Sequence, residues 1–360
     1  MIIACICAYC IYFVCFHIIK CEYQFNYNYL MILINDMRSA TSFGKVSFSN
    51  FKKVDVCKML LTSMDQRSQD KSTFYAAEMI CSGYFLELWN IIFDFVFGKI
   101  HLGNPRLILL LKRKVNRFKA IINTVDGDLC KLRNNEEVRT MITELLVYVC
   151  KSKRKIQLTV EKIPNNDFNI DVMTSRFKSP SVKYIENNFK AGDPREIYMP
   201  LNEFAYHISS DSQDFSLATY WFEWMIQFDD ICKKRKKRCT CHPRDFVLVS
   251  KGRTDFVWCI WDILMTRANE LGKGVTTLIK ALLDIFQMKY SYLTTKKRRF
   301  IVYTAIMSCI DKIDFSISIG EEIHSNTILM NTDKMYREVK KYENIRKLNK
   351  SLHSLIKLNG

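Results

Sequence analysis

Glycine and proline are scarce in this chain, with 11 Gly and 6 Pro in 360 residues. A many-turned β-sandwich and a low-complexity linker both need more of them. Acidic residues are also short, 37 Asp and Glu against 54 Lys and Arg, which leaves a formal charge of +17. Catalytic signatures are missing. The six histidines (His17, His101, His207, His242, His324, His353) form no HExxH or paired metal spacing, and no GxSxG nucleophile elbow occurs. GKGVTT (272–277) lacks the spacer that a phosphate loop places before its Gly-Lys-Ser/Thr, so it reads as a helix-to-helix turn. No enzyme activity, cofactor or small-molecule substrate is expected.

What is present is apolar bulk. Hydrophobic residues make up 48% and aromatics 13%, enough for a substantial core. The 14 cysteines are scattered, several in apolar contexts such as Cys81, Cys150, Cys259 and Cys309. That pattern reads as reduced thiols in a cytoplasmic or nuclear setting, a viral factory included.

Apolar periodicity predicts a mainly α fold: two helical-bundle blocks joined by an irregular segment, with at most a few short strands. The blocks divide as 1–36, an apolar N-terminal segment; 41–163, a first helical domain; 164–212, a linker or insertion; 213–331, a second helical block; and 332–360, a basic C-terminal helix. MIIACICAYCIYFVCFHII (1–19) is long enough for a short membrane anchor, or it precedes a true start at Met31 or Met37. An anchor would leave the basic body cytoplasmic.

Several local signals are specific. TSFGKVSFSNFKKVDV (41–56) reads as a strand or docking arm, with Thr62, Ser63 and Asp70 as caps around the first helix start. Gly83 breaks a helix that ends near Cys81, and helices follow at about 85–97, 105–122 and 136–150. In KIHLGNPRLI (99–108), Asn104 is an N-cap and Pro105 a first-turn residue, with Gly98 and Gly103 expected to take positive φ. TVDGDLCKLRNN (124–135) reads as a loop, and IQLTV within 151–163 as a strand. YMPLNEFAYHI makes one short helix. Further helices are expected at 214–232, 254–271, 274–290 and 296–312, and a Lys/Arg-rich helix in the last 30 residues sets Met335, Val339 and Ile345 on one side.

The charge is clustered. One helix face carries Arg106, Lys112, Arg113, Lys114, Arg117 and Lys119; a basic turn follows at 151–155. KKRKKR (233–238) supplies Lys233, Lys234, Arg235, Lys236, Lys237 and Arg238, and KKRR (296–299) supplies Lys296, Lys297, Arg298 and Arg299. Lys and Arg in such runs neutralise phosphates with little sequence preference, so DNA or RNA is the expected partner. A solvated helix end, an import signal and AT-rich coding are the competing accounts of the same residues. Cys232, Cys239, Cys241 and His242 stand close in sequence. The single residue between Cys239 and Cys241 is tight for a zinc knuckle, so no metal site is assigned from spacing. Trp221 with Trp224, and Trp258 with Trp261, stand at i, i+3 spacing and read as helix core, with base stacking as the alternative.

Residues 70–107 pair Tyr75, Ala76 and Ala77 with a Ser82–Gly83 turn and an Ile100, Leu102, Gly103, Asn104, Pro105 corner. This order resembles the helical collar domain of the clamp-loader-related replication-associated recombination protein A family. The resemblance covers under 15% of the chain and includes no Walker motif or sensor arginine, so ATP hydrolysis is not implied. It implies a collar-type bundle serving self-association or docking to a replication complex. YWFEWMIQFDDICKKRKKRC and KKRRFIVYTAIMSCI are similar to proteins of large double-stranded DNA viruses. The functional expectation is a non-enzymatic accessory protein of DNA replication or repair. The alternative is a structural or interaction protein of such a virus particle or factory, with or without a membrane anchor.

Overall fold

Local capping decides where several helices start. The computed structural model describes residues 34–319 and 325–358, so the 1–19 segment, His17 and His324 lie outside it, as does the side chain of His353. Fourteen α-helices make the structure 65% helical, and no strand forms among the described residues. In chain order they are α1 (Lys53–Asp65), α2 (Gln69–Cys81), α3 (Phe85–Phe95), α4 (Pro105–Thr124), α5 (Leu129–Arg133), α6 (Glu136–Lys151), α7 (Ile170–Ser175), α8 (Tyr198–Ile208), α9 (Phe215–Lys234), α10 (Val257–Leu271), α11 (Lys273–Phe286), α12 (Thr294–Lys297), α13 (Arg299–Ile310) and α14 (Ser325–Leu358).

The Asn104–Pro105 corner behaves as its sequence predicts. The Asn104 side chain accepts from the Leu107 N–H at 3.1 Å, and Pro105 occupies the first position of α4. Such a cap contributes about 1 kcal/mol. Asn135 and Asp214 cap α6 and α9 in the same way. The glycines at this corner work differently from the expectation. Neither Gly98 nor Gly103 takes a positive φ; His101 does, at 34°. Val96–Ile100 continues α3 as one π-helical turn, and His101–Gly103 closes it as a 3-10 turn. Gly103 is required by crowding instead: a Cβ there would stand 2.6 Å from the Lys153 carbonyl oxygen.

Other local expectations give way to tertiary demands. Residues 41–56 form a 3-10 turn, an isolated bridge between Val46 and Lys52, and the start of α1, which already covers Thr62 and Ser63. Phe43 and Phe48 are buried, so this arm docks on its own chain. Residues 124–135 contain α5, capped by Asp128. IQLTV forms no strand among the described residues; the N–H groups of Leu158 and of the preceding Lys155 donate to the carbonyls of Gly98 and Lys99. Segment 164–212 holds α7 and α8 and buries Ile185, Ile197 and Phe204. On α14, Met335 and Val339 are buried but Ile345 is 46% exposed; Tyr336 fills the inner face instead.

Helix α2 lies at the centre of the N-terminal half, packed on α1, α6 and α14. In the C-terminal half α13 touches α9, α10 and α11, and α8 packs on α9. Contacts between α4 and α11, and between the π turn and α13, join the halves, and one connected apolar core runs through both. Trp221, Trp258 and Trp261 are fully enclosed and Trp224 nearly so, which makes them core residues and removes them from base stacking. Two buried arginines tie residues 34–38 to this body: Arg133 donates to the carbonyls of Cys81 and Arg38, and Arg139 to those of Ile34 and Arg133. Among the described residues, no helix is long and apolar enough to cross a membrane.

Candidate functional site

The basic runs divide into cations the fold uses and cations it leaves on the surface. On α4, Arg106 donates to the Phe315 carbonyl at 2.8 Å, and Lys112 pairs with Asp284 at 2.8 Å. Lys114 pairs with Glu144 at 2.5 Å, and Arg117 forks onto Glu137. Arg113 is exposed with no carboxylate partner among the described residues. This face is mostly self-neutralised.

The 233–238 and 296–299 runs meet in space. Lys233, on the last turn of α9, pairs with Asp229 at 2.5 Å and approaches Asp230 at 3.7 Å. Lys296, on α12, pairs with the other oxygen of Asp230. Arg238 lies over the ring of Tyr292, between α11 and α12. Helix α9 ends in a Schellman-type turn: Lys236 takes φ 58°, and the Lys237 N–H reaches the Cys232 carbonyl at 3.0 Å. Lys234, Arg235, Lys236 and Lys237 are thereby held outward, exposed, and Lys297 is exposed on α12. None of these five has a carboxylate partner among the described residues. Arg235, Lys237 and Arg238 also line a cleft with Phe228, Cys232 and Cys239.

Two members of the second run are structural. Arg298 is buried, and its guanidinium donates to the carbonyls of Phe286 and Met288 at 2.8 and 2.6 Å, closing the C-terminal end of α11. Burial pulls its pKa down to about 10, against the opposing pull of Asp94. Arg299 pairs with the buried Glu223 at 3.0 Å, and Tyr303 donates to the same carboxylate at 2.8 Å. Burial pushes Glu223 above the ordinary carboxylate range, against Arg299.

Behind the basic turn, thiols converge. An antiparallel bridge between Thr240 and Asp255 fixes the extended 239–241 stretch, and the Cys241 N–H donates to the Thr254 carbonyl at 2.8 Å. Cys239 and Cys241 are buried beside Cys259, from the first turn of α10. Hydrogen bonding among Cys239, Cys241 and Cys259, then burial, pushes the Cys241 thiol far up. The Cys241 and Cys259 sulfurs and an Asp193 oxygen all lie within 4.8 Å of one another. Asp193 itself is held by Arg244 through two 2.7 Å bonds and by the N–H groups of Lys190 and His242. Burial opposes ionisation of Asp193, but those bonds hold its carboxyl below the usual range. The His242 side chain is exposed and lies against Gly192 rather than among the thiols. Cys259 had no local signal: it is one apolar-context cysteine in a helix, and only the bridge brings it to Cys241.

One buried triad has a local structural use. His207 Nδ1 lies 2.8 Å from Ser212 Oγ, and its Nε2 lies 3.4 Å from Glu203, although without hydrogen-bond geometry. Glu203 accepts the N–H groups of Lys178 and Ser179. His207 is 1% exposed, so the arrangement pins the 178–184 loop and the turn after α8. GKGVTT is a helix-to-helix junction, as its spacing predicts: Gly272, at φ 107°, alone links α10 to α11, and Lys273 and Gly274 already lie in α11. No protein-family model, curated protein or solved structure matches the chain.

Proposed function

We propose that the protein is a non-enzymatic nucleic-acid-binding accessory protein of DNA replication or repair, contacting phosphates through Lys234, Arg235, Lys236, Lys237 and Lys297. The observation that carries this reading is the meeting of two separate basic runs on one surface, with these five cations exposed and unneutralised. Cations held outward without carboxylate partners can release counterions from a phosphate backbone; cations already paired gain less. The net charge of +17 adds long-range attraction to the same class of partner. Arg113 belongs to a lesser, separate patch. The resemblance of residues 70–107 to a clamp-loader collar supports a place in replication or repair, by docking or self-association.

Fluorescence anisotropy with single- and double-stranded DNA across a salt series tests this. Binding is expected to weaken as salt rises, by about 0.7–0.9 log units per log unit of salt for each phosphate contacted. Replacing Lys234, Arg235, Lys236 and Lys237 together with Gln should flatten that slope. Absence of binding by the wild type at low salt, or an unchanged slope in the variant, sinks the reading.

A further inference from the structure

We propose that Cys239, Cys241 and Cys259 bind one thiophilic divalent metal ion of the zinc type, with Cys232 as the fourth ligand. The sulfurs come from three elements. Cys239 and Cys241 share one side of an extended stretch, as i, i+2 residues must. The Thr240–Asp255 bridge lays that stretch against the start of α10, where Cys259 stands. Cys232, on the last turn of α9, lines the same cleft as Cys239.

The spacing suits a metal. Tetrahedral zinc with thiolates at about 2.3 Å holds its sulfurs roughly 3.8 Å apart. Cys241 and Cys259 already lie within 4.8 Å of each other and Cys239 hydrogen-bonds to Cys241; Cys239 would close on Cys259, and Cys232 on all three, as the ion binds. Elsewhere the buried cysteines are single: Cys150 contacts Ser72 Oγ, and Cys309 the Leu264 carbonyl. Those behave as small apolar residues with a weak donor. A thiol cluster in the core is a different object, and all of its members are free thiols.

The surroundings supply the charge balance. Four thiolates around a divalent ion carry a net negative charge. Arg244 lies beside the cluster and the basic turn begins at Lys233, both cationic. Cys259 occupies the third position of α10, where the helix dipole favours a thiolate. Asp193 is assigned no ligand role: Arg244, Lys190 and His242 engage both its oxygens, and the Cys259 thiol, which donates to Oδ1 at 3.9 Å, would give up that contact for the ion. A metal there would pin the turn that carries Lys234 to Lys237 to α9 and α10. The site stands or falls independently of nucleic-acid binding.

The test uses the full chain purified under reducing conditions without chelator. Elemental analysis should find close to one zinc per chain. Replacement by Co²⁺ should give thiolate charge-transfer absorption in the near ultraviolet and tetrahedral d–d bands in the red. C241S and C259S should lose the metal, and C150S should keep it. C232S, at the cleft edge, should bind more weakly with shifted d–d bands. Should the core variants fail to fold, alkylation mapping of the wild type decides: the metal should protect Cys232, Cys239, Cys241 and Cys259 and leave Cys57 reactive. A folded chain that takes up neither zinc nor Co²⁺, a Co²⁺ spectrum without thiolate bands, or metal retained in C241S overturns the proposal.

Discussion

Lys233 and Lys296, from basic runs in different helices, meet on the two oxygens of one carboxylate, Asp230. That carboxylate is half-exposed, so the bridge adds little stability, of order 1 kcal/mol or less. Its larger effect is to mask Lys296 at the edge of the proposed phosphate-binding face, beside Lys233, which Asp229 already holds. D230N should release Lys296, whereas Lys233 keeps its 2.5 Å pair with Asp229. The expected outcome is tighter DNA binding at low salt and a steeper salt dependence, with a melting temperature nearly unchanged. Anisotropy titrations at several salt concentrations measure this. A slope equal to that of the wild type would show that Lys296 does not face the DNA.

Much of the helical layout was legible because its signals are local. Asn104 with Pro105, Gly83, and the apolar stripe of α6 each act within a turn or two of chain. The pieces that escaped are those set by distant partners. Arg298 stands among identical-looking surface cations, and only the end of α11 makes it a buried cap. Gly103 looks like a turn glycine, yet the Lys153 carbonyl, far along the chain, is what excludes a side chain there. His242 is the sequence neighbour of Cys241, but Cys259 is its spatial one. The five free cations of the candidate face were all visible as a run; which of their neighbours were neutralised was not.

R298A should destabilise the protein strongly. It leaves the carbonyls of Phe286 and Met288 without their donor inside the core. An unsatisfied buried set of this kind costs about 2–4 kcal/mol. K297A, one residue away on the exposed side, should change stability by less than about 0.5 kcal/mol. Urea unfolding should show a lower midpoint for R298A at unchanged m-value. Equal midpoints for the two variants would mean that Arg298 is not a cap.

Gly103 and Gly127 separate crowding from backbone strain. A Cβ at Gly103 meets the Lys153 carbonyl oxygen at 2.6 Å, a backbone atom that cannot swing aside. G103A should cost about 1–3 kcal/mol as the corner is forced apart. Gly127 has open space around it but a φ of +72°. G127A should cost about 1 kcal/mol through the left-handed backbone alone. Chemical denaturation of both variants checks the order. A larger loss at Gly127 would show that the 99–105 corner yields easily.

Asp36 gives an acid-sensitive anchor for the N-terminal arm. Burial raises its pKa, but hydrogen bonds from Arg38 and Arg133 outweigh that and hold it at about 2, against an ordinary 3.8. A carboxyl whose folded value is depressed contributes stability above the unfolded value, and loses it as pH falls through the folded value. The window is therefore between about pH 4 and pH 2. Glu78 works with the opposite sign: burial raises its pKa despite bonds from Ser47 and Ser49, so its contribution is lost as pH rises. Comparing wild type with D36N cancels the Glu78 effect, since both proteins carry it. D36N should melt below the wild type at pH 5, because Arg133 keeps its buried charge and loses the carboxylate 3.0 Å away. The gap in melting temperature should then narrow as pH falls from 4 to 2, where the wild-type carboxylate is also protonated. A gap that stays constant across this range would show that the Asp36–Arg133 pair does not hold the arm.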